Sequence, residues 1–231
     1  MINIITVVKD NKPGLEKTIG SIAHVKREDV KYFVVDGGSV DGTAELLGAR
    51  EDDIVDAWVS EPDRGIYDAM NKGLGFVEKG HILFVGAGDR LLWLPTARDI
   101  DEYDIAYGDV MIGKRRYRSR FGWRMRIGNT LHHQGLFVKL NAIPSELFDL
   151  RYSVWSDMDM NQKLYRRGVS HKRLDAVVCD VEPGGISAKA DRNEMVDITR
   201  KNFGALMAQI VRAIAAYNAI RSAFVRAVSR Q

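Results

Sequence analysis

The chain has 231 residues, a formal net charge of +3, 45% hydrophobic residues and 28% charged ones. That length suits one large α/β domain with a sizeable core better than two small ones. A single cysteine, Cys179, excludes an internal disulfide framework and suits a reducing compartment, and no apolar run is long enough to span a bilayer.

Ile2 to Val8 is an apolar run typical of a buried parallel strand. Met1-Ile-Asn-Ile-Ile-Thr6 reads as that strand and carries no basic leader of a secretion signal. Pro13 stands near the start of the next helical segment, where its missing N–H costs nothing. Strand Tyr32–Asp36 follows, then a short helix after Thr43, strand Ala57–Ser60, a helix from about Ile66 to Glu78, and strand His81–Val85. Strand Ile105–Asp109, a basic segment, strand Gly135–Val138, a helix from about Asp157 to Arg167 and strand Lys172–Val178 complete the body. This alternation predicts a parallel sheet with helices on both faces and no internal repeat or domain boundary before about residue 190.

Aspartates recur where strands end. Asp36 closes its strand and runs into Gly-Gly-Ser-Val-Asp-Gly-Thr43. Ligands collect at this edge of open α/β sheets, and glycines let backbone approach them. The alternative is a tight strand-to-helix turn capped by Asp41 or Thr43. In the helix after Arg64, Ile66, Met70, Leu74 and Val77 form one apolar stripe, leaving Asp68, Asn71 and Lys72 on the other side. Asp89 again lies at a strand's carboxyl end, after Gly86-Ala-Gly88. Asp157 and Asp159 stand at a helix N-terminus, where the helix dipole alone also favours acids.

The segments Val35-Asp-Gly-Gly-Ser-Val-Asp-Gly-Thr43, Ser60-Glu-Pro-Asp-Arg-Gly-Ile-Tyr-Asp-Ala-Met-Asn-Lys-Gly73, Phe84-Val-Gly-Ala-Gly-Asp89, Tyr107-Gly-Asp109, His133-Gln134 and Ser156-Asp-Met-Asp159 occur in that order. Over roughly residues 2 to 187 the chain thereby resembles the inverting family-2 glycosyltransferases of bacterial polysaccharide and glycolipid synthesis. The resemblance implies a GT-A-like fold: a Rossmann-like, mostly parallel sheet flanked by helices, forming a catalytic domain over residues 1–190. It implies a nucleotide-sugar site drawn from Thr6, Val8, Asp36, Gly38, Arg64, Asp68, Asn71, Lys72, Gly88 and Asp89; a UDP-sugar is the expected donor, since Asp36 could accept from a pyrimidine N–H. Arg64 would contact base or diphosphate and Lys72 the phosphates, with Asp68 and Asn71 steadying those cations. Asp89 would be the ligand of Mg2+ or Mn2+. Relatives often have two adjacent acids here, whereas this chain has Gly88 before Asp89, and magnesium manages with one or two carboxylates plus phosphates and waters.

An inverting transfer also needs a base for the acceptor hydroxyl of a glycan or lipid-linked acceptor. Position within the resemblance makes Asp157 that base and Asp159 the second candidate. His133, Gln134 and Gly185 would line the site or close over the diphosphate, with His132 structural. Two other classes stand beside this one. A non-catalytic nucleotide-sugar-binding relative in an assembly complex is favoured by Gly88 and opposed by Asp157. Nucleotidyl transfer calls for a phosphate loop that Val7-Val-Lys-Asp-Asn-Lys-Pro-Gly14 fits poorly.

Lys114 to Arg126 carries seven positive charges, three aromatics and no acid. Its first half reads as a hairpin with a solvated basic face. Its second half, including Arg124 and Arg126, reads as a contact for the acceptor diphosphate or for anionic headgroups. No nucleic-acid motif accompanies the charge. Beyond residue 190 the pattern changes: Leu206, Ile210, Ile214, Tyr217, Ile220, Phe224 and Val228 make a helical stripe, and from Arg200 onward there are six basic residues and no acid. This amphipathic tail, residues 191–231, is expected to lie on an anionic membrane surface, or else to pack on the catalytic domain or in a homo-oligomer. The expectation is a cytoplasmic protein, peripheral on the inner face of the cell membrane.

Overall fold

The computed structural model describes residues 1–50, 53–143, 148–184 and 192–228. Its frame is a single curved sheet of nine strands among the described residues. Strands β1 (Ile2–Val8), β2 (Val30–Asp36), β3 (Ala57–Ser60) and β4 (His81–Gly86) are parallel neighbours in the order β3-β2-β1-β4. Beyond β4 the pairing turns mixed. Strand β8 (Leu136–Lys139) runs antiparallel to both β4 and β6 (Ile105–Ile112), whereas β9 (His171–Val181) is parallel to β6. The two-residue β5 (Arg90–Leu91) pairs with β9, and β7 (Arg115–Tyr117) forms a hairpin with β6. The expected parallel character therefore describes β1 to β4 and the β6–β9 pair, and β5, β7 and β8 are antiparallel to their neighbours.

Alternation explains why β1 and β2 read as unbroken apolar runs. Ile2, Ile4, Tyr32 and Val34 enter one core cluster, and Ile5, Val7, Phe33 and Val35 enter another on the opposite face. Helices α1 (Lys12–Ala23), α2 (Thr43–Gly48) and α4 (Ala97–Ile100) cover the first face through Leu15, Ile19, Ile22, Leu47 and Ile100. Helices α3 (Ile66–Gly73) and α5 (Ser156–Arg167) cover the second through Tyr67, Met70, Met160 and Leu164. As expected, Pro13 stands in the first turn of α1, and the Asn11 side chain caps the helix by accepting from the Gly14 amide.

Helix α3 is shorter than its pattern suggested. After Gly73 it tightens into a 3-10 turn, Leu74–Phe76, consistent with the low helix propensity of Gly73 and Gly75. The C-terminal region is also not one helix. Helix α6 (Arg192–Phe203) stops at Gly204, whose φ of +86° is left-handed, and α7 (Ala205–Val228) sets off anew. Helix α6 belongs to the body, because its Ile198 and Thr199 are fully buried. Helix α7 buries Ala208 and Val211 but exposes Leu206, Ile210, Ile214 and Tyr217. No helix among the described residues is long and apolar enough to cross a membrane.

Candidate active site

The carboxyl ends of β1 and β4 open into a cleft of about 530 Å³, walled by Val7, Val8, Lys9, Tyr67, Met70, Asp89, His132, His133, Gln134 and Glu182 among others. It continues into a second hollow of about 330 Å³ where Val7, Val8, Lys9 and Ile66 meet Asp63 and Gly65. The parallel register sets this geometry, since Val8 lies beside Asp36 and Val7 beside Gly86. Three strands thus deliver their carboxyl ends to one rim.

Asp89 is 4% exposed, and its carboxylate is held on three sides. Oδ2 accepts from the Gly86 amide at 2.9 Å and the Gln134 side-chain amide at 2.9 Å, and Oδ1 accepts from the Glu182 amide at 2.9 Å. One lone pair of Oδ1 is left over. Gly88 has φ +106°, and a Cβ there would fall 2.5 Å from Glu182 Oε2. That accounts for the missing second acid: the turn needs a glycine, and the Glu182 carboxylate fills the space. Among the described residues no group of three acids, histidines or cysteines can hold a metal ion. The Asp89 and Glu182 carboxylates both border the cleft, and Glu182 Oε2 also lies 3.6 Å from Lys17 Nζ.

Asp157 begins α5 and is 7% exposed. Its Oδ2 accepts from the Asn129 side-chain amide at 2.9 Å and faces His133 Nδ1 at 3.4 Å; its Oδ1 accepts from the Met158 amide at 2.8 Å and lies 3.4 Å from the Tyr67 hydroxyl. That hydroxyl donates to the Val154 carbonyl at 2.5 Å. Burial, followed by the charge of Asp157, raises the Tyr67 phenol well above its ordinary range. His133 and Tyr67 line the cleft, and Asp157 stands directly behind them. His132 lines the cleft too, stacked on His133 at 5.3 Å and edge-on to Tyr117. Burial, then the neighbouring His133, pushes its imidazole down to about 4.

Helix α6 supports this wall. The Glu194 carboxylate accepts from the Ser153, Val154 and Trp155 amides and from the Ser153 hydroxyl, fixing the approach to α5. Burial raises the Glu194 carboxyl, but those four donors outweigh it and hold the group below its ordinary range.

Other expected residues are turned away from the cleft. Asp36 is fully buried, and its oxygens accept from the Ser39 amide and hydroxyl and from the Ser60 hydroxyl, so this carboxylate locks the turn. Gly38, with φ +77°, lies against the Pro62 backbone, where a Cβ would approach to 3.3 Å. Thr6 is fully buried inside the sheet, and Val8 alone of that pair lines the cleft. Arg64 is mostly exposed and pairs with Asp68 at 3.1 Å. Asn71 instead exchanges two hydrogen bonds with the Phe148 backbone. Lys72 is held by Glu61 at 2.8 Å and the Pro62 carbonyl at 2.7 Å. Both tie loops down.

Asp159 is the clearest departure. It is fully buried between Lys163 at 2.8 Å, Lys201 at 3.1 Å and the Asn202 amide at 2.9 Å, joining α5 to α6. Arg124 and Arg126 do not line the cleft. Arg126 lies over the Tyr165 and Phe203 rings, and Arg124 over Trp123. Gly185 lies outside the described residues. Sequence reasoning missed Lys9, Asn129 and Glu182. Lys9 has no ion-pair partner among the described residues, and its position directly after β1 was the one signal available for it.

No protein-family model matches the chain. A PGL/p-HBAD biosynthesis glycosyltransferase of Mycobacterium bovis is 28% identical over 178 residues, covering 71% of this chain and 70% of the relative. An uncharacterized glycosyltransferase of Mycobacterium tuberculosis is 34% identical over 90 residues, covering 38% of this chain and 34% of the relative. Among solved structures, S. aureus TarS 1-349 in complex with UDP is similar with a TM-score of 0.67 at 15% identity, covering 86% of this chain and 63% of that one, so the chain spans less than two thirds of it. A mannosyltransferase of Pyrobaculum calidifontis in complex with GDP-Man and Mn2+ aligns with a TM-score of 0.62 at 15% identity, covering 91% and 64%. These relatives, with the GT-A-like fold that the structural neighbours share, support a glycosyltransferase of the family-2-like kind.

Proposed function

We propose that the chain transfers a sugar, with inversion, from a nucleoside diphosphate donor to a hydroxyl of a glycan or lipid-linked acceptor. The observation that carries this reading is the pairing, across one cleft, of a diphosphate-facing edge (Lys9, Asp89, Glu182) with a proton-accepting wall (Asp157 behind His133 and Tyr67). A uridine donor is favoured because TarS was crystallised with UDP and with UDP-GlcNAc. The nucleoside would lie in the hollow of Asp63, Gly65, Ile66 and Ala69, against the ends of β1 and α3. Lys9 would offset the diphosphate charge.

Asp89 and Glu182 would hold Mg2+ or Mn2+, which when bound neutralises charge on the departing diphosphate. The mannosyltransferase bound to GDP-Man and Mn2+ supports a divalent ion of this kind. Asp157 accepts the proton of the attacking hydroxyl, directly or through the His133 ring 3.4 Å away. Asn129 and the Met158 amide hold the carboxylate in place meanwhile.

A peripheral position at an anionic membrane is proposed for the tail. The exposed Leu206, Ile210, Ile214 and Tyr217, on a helix without acids, support it. Removing residues after Gly204 then lowers co-sedimentation with anionic vesicles, and unchanged sedimentation assigns α7 to protein packing. The catalytic reading is tested by screening UDP-, GDP- and dTDP-sugars for thermal stabilisation, with and without Mg2+ or Mn2+. A metal-dependent rise with one donor class is expected. No stabilisation by any nucleotide would refute the donor site.

A further inference from the structure

A second polar cavity lies on the far part of the sheet and shares no lining residue with the donor cleft. It measures about 540 Å³ and is walled by Tyr107, Asp109, Ser119, Phe121, Asp175 and four arginines, Arg116, Arg118, Arg120 and Arg173. We infer that this cavity, at the junction of β6, β7 and β9, binds a phosphate-type oxyanion. The argument begins with the run Arg115-Arg-Tyr-Arg-Ser-Arg120, which the sequence alone offers only as a solvated basic face.

The hairpin of β6 and β7 changes that. Arg116 Nε donates to Asp109 Oδ2 at 2.7 Å, and Arg173 Nη1 reaches Asp109 Oδ1 at 2.8 Å and the Ser119 carbonyl at 2.6 Å. The Ser119 amide also donates to Asp109, at 3.1 Å. Burial alone raises the Asp109 carboxyl, but the two guanidinium groups outweigh it and keep it ionised below its ordinary range. Arg173 also rests over the Tyr107 ring at 5.8 Å. Two planar forks are thereby fixed before any ligand arrives, which lowers the entropy cost of using their remaining N–H groups.

Charge and hydrogen-bond capacity are both left over. Arg118 and Arg120 have no acid partner among the described residues, and Asp175 is the one carboxylate lining the cavity besides Asp109. Four guanidinium groups therefore face two carboxylates. Ser119 is fully buried and its hydroxyl has no hydrogen-bond partner, a costly arrangement that an acceptor oxygen would relieve. Fixed forks, free forks and one neutral donor match a tetrahedral anion whose oxygens point several ways. The chemistry is the same for free phosphate and for a phosphate ester carried on a saccharide or lipid.

The test is isothermal titration of the full chain with inorganic phosphate and, separately, with glycerol 3-phosphate, repeated at two salt concentrations. Saturable, salt-weakened binding is expected, reduced at least tenfold by the double substitution R118Q/R120Q and severalfold by S119A. Neither variant should change UDP binding, so failure of the donor reading and failure of this one are separable. Tighter binding of the ester points to an acceptor-borne group; tighter binding of inorganic phosphate points to the free ion. Equal phosphate affinity in R118Q/R120Q and the parent protein, or loss of phosphate binding when UDP is added in excess, would overturn the inference.

Discussion

The Glu182 carboxylate occupies the place that a side chain at Gly88 would need, with Oε2 2.5 Å from where a Cβ would stand. A residue just after β9 thus brings a carboxylate beside the strand-end loop, and its own amide donates to Asp89. Restoring an acid locally should therefore harm the protein. Gly88→Asp forces a left-handed φ and a clash of like charges, and should cost about 1–3 kcal/mol of stability by denaturant titration. Glu182→Gln should leave stability within about 0.5 kcal/mol, since the side chain is largely exposed. It should weaken Mn2+-dependent UDP binding about tenfold, as read by Mn2+ electron paramagnetic resonance. Unaltered Mn2+ binding would remove Glu182 from the cation site.

Asp157 stands behind the cleft wall while His133 is part of it, 3.4 Å from Oδ2. Asp157→Asn should preserve donor binding within threefold and cut turnover by 10² or more, because the proton acceptor is lost while the hydrogen-bonded shape persists. His133→Gln separates direct from relayed transfer. Turnover falling as far as in Asp157→Asn marks the imidazole as the group meeting the hydroxyl. A loss under tenfold leaves that to the carboxylate.

Strands β1, β2 and β4 were legible in the sequence because a strand covered on both faces cannot alternate, and these three runs end in polar loops. Of the acids at their carboxyl ends, Asp89 lines the cleft and Asp36 does not. What each acid does there was not legible. Asp36 follows its strand as Asp89 follows its own, yet Ser39 and Ser60 turn it inward while Asp89 remains at the cleft. Asn71 and Lys72 carry the residue types of a phosphate site, but their partners, Phe148 and Glu61, come from loops whose positions local pattern does not encode. Glu182 reaches Asp89 across 93 positions of chain. The short β5 and β7 have too few residues to show any period.

Acid should loosen the cleft wall through His132. Its folded-state pKa of about 4 lies below the ordinary imidazole value of 6.5, so the unfolded chain binds the extra proton first. The stability this contributes is complete above about 6.5 and is lost as pH falls toward 4. At pH 5 the loss amounts to about 2 kcal/mol. His81, also lowered by burial, shifts stability in the same direction. His132→Gln should therefore retain part of the acid sensitivity while flattening the pH 7.5-to-5 difference by that amount. Parallel pH profiles in urea melts would contradict the assignment.

Asp157 and Asp159 are two positions apart on α5, and a helix turns roughly 200° over that interval. One therefore faces the cleft wall and the other α6. Asp159, with no exposed surface, neutralises Lys163 and Lys201 and accepts from Asn202, so it anchors the helix that presents Glu194 to the Ser153–Trp155 backbone. Asp159→Asn keeps the shape but leaves the partly buried Lys163 ammonium facing an amide, while Lys201 keeps Asp149 at 3.0 Å, at a cost of about 2–4 kcal/mol. Its catalytic effect should arise only through folding: turnover per folded molecule, measured well below the lowered Tm, should stay within threefold of the parent. Adding Lys163→Met should recover part of the lost stability, because the ammonium left without a carboxylate goes with it. Severe loss of turnover in fully folded Asp159→Asn would instead return that residue to the proton-transfer step and displace Asp157.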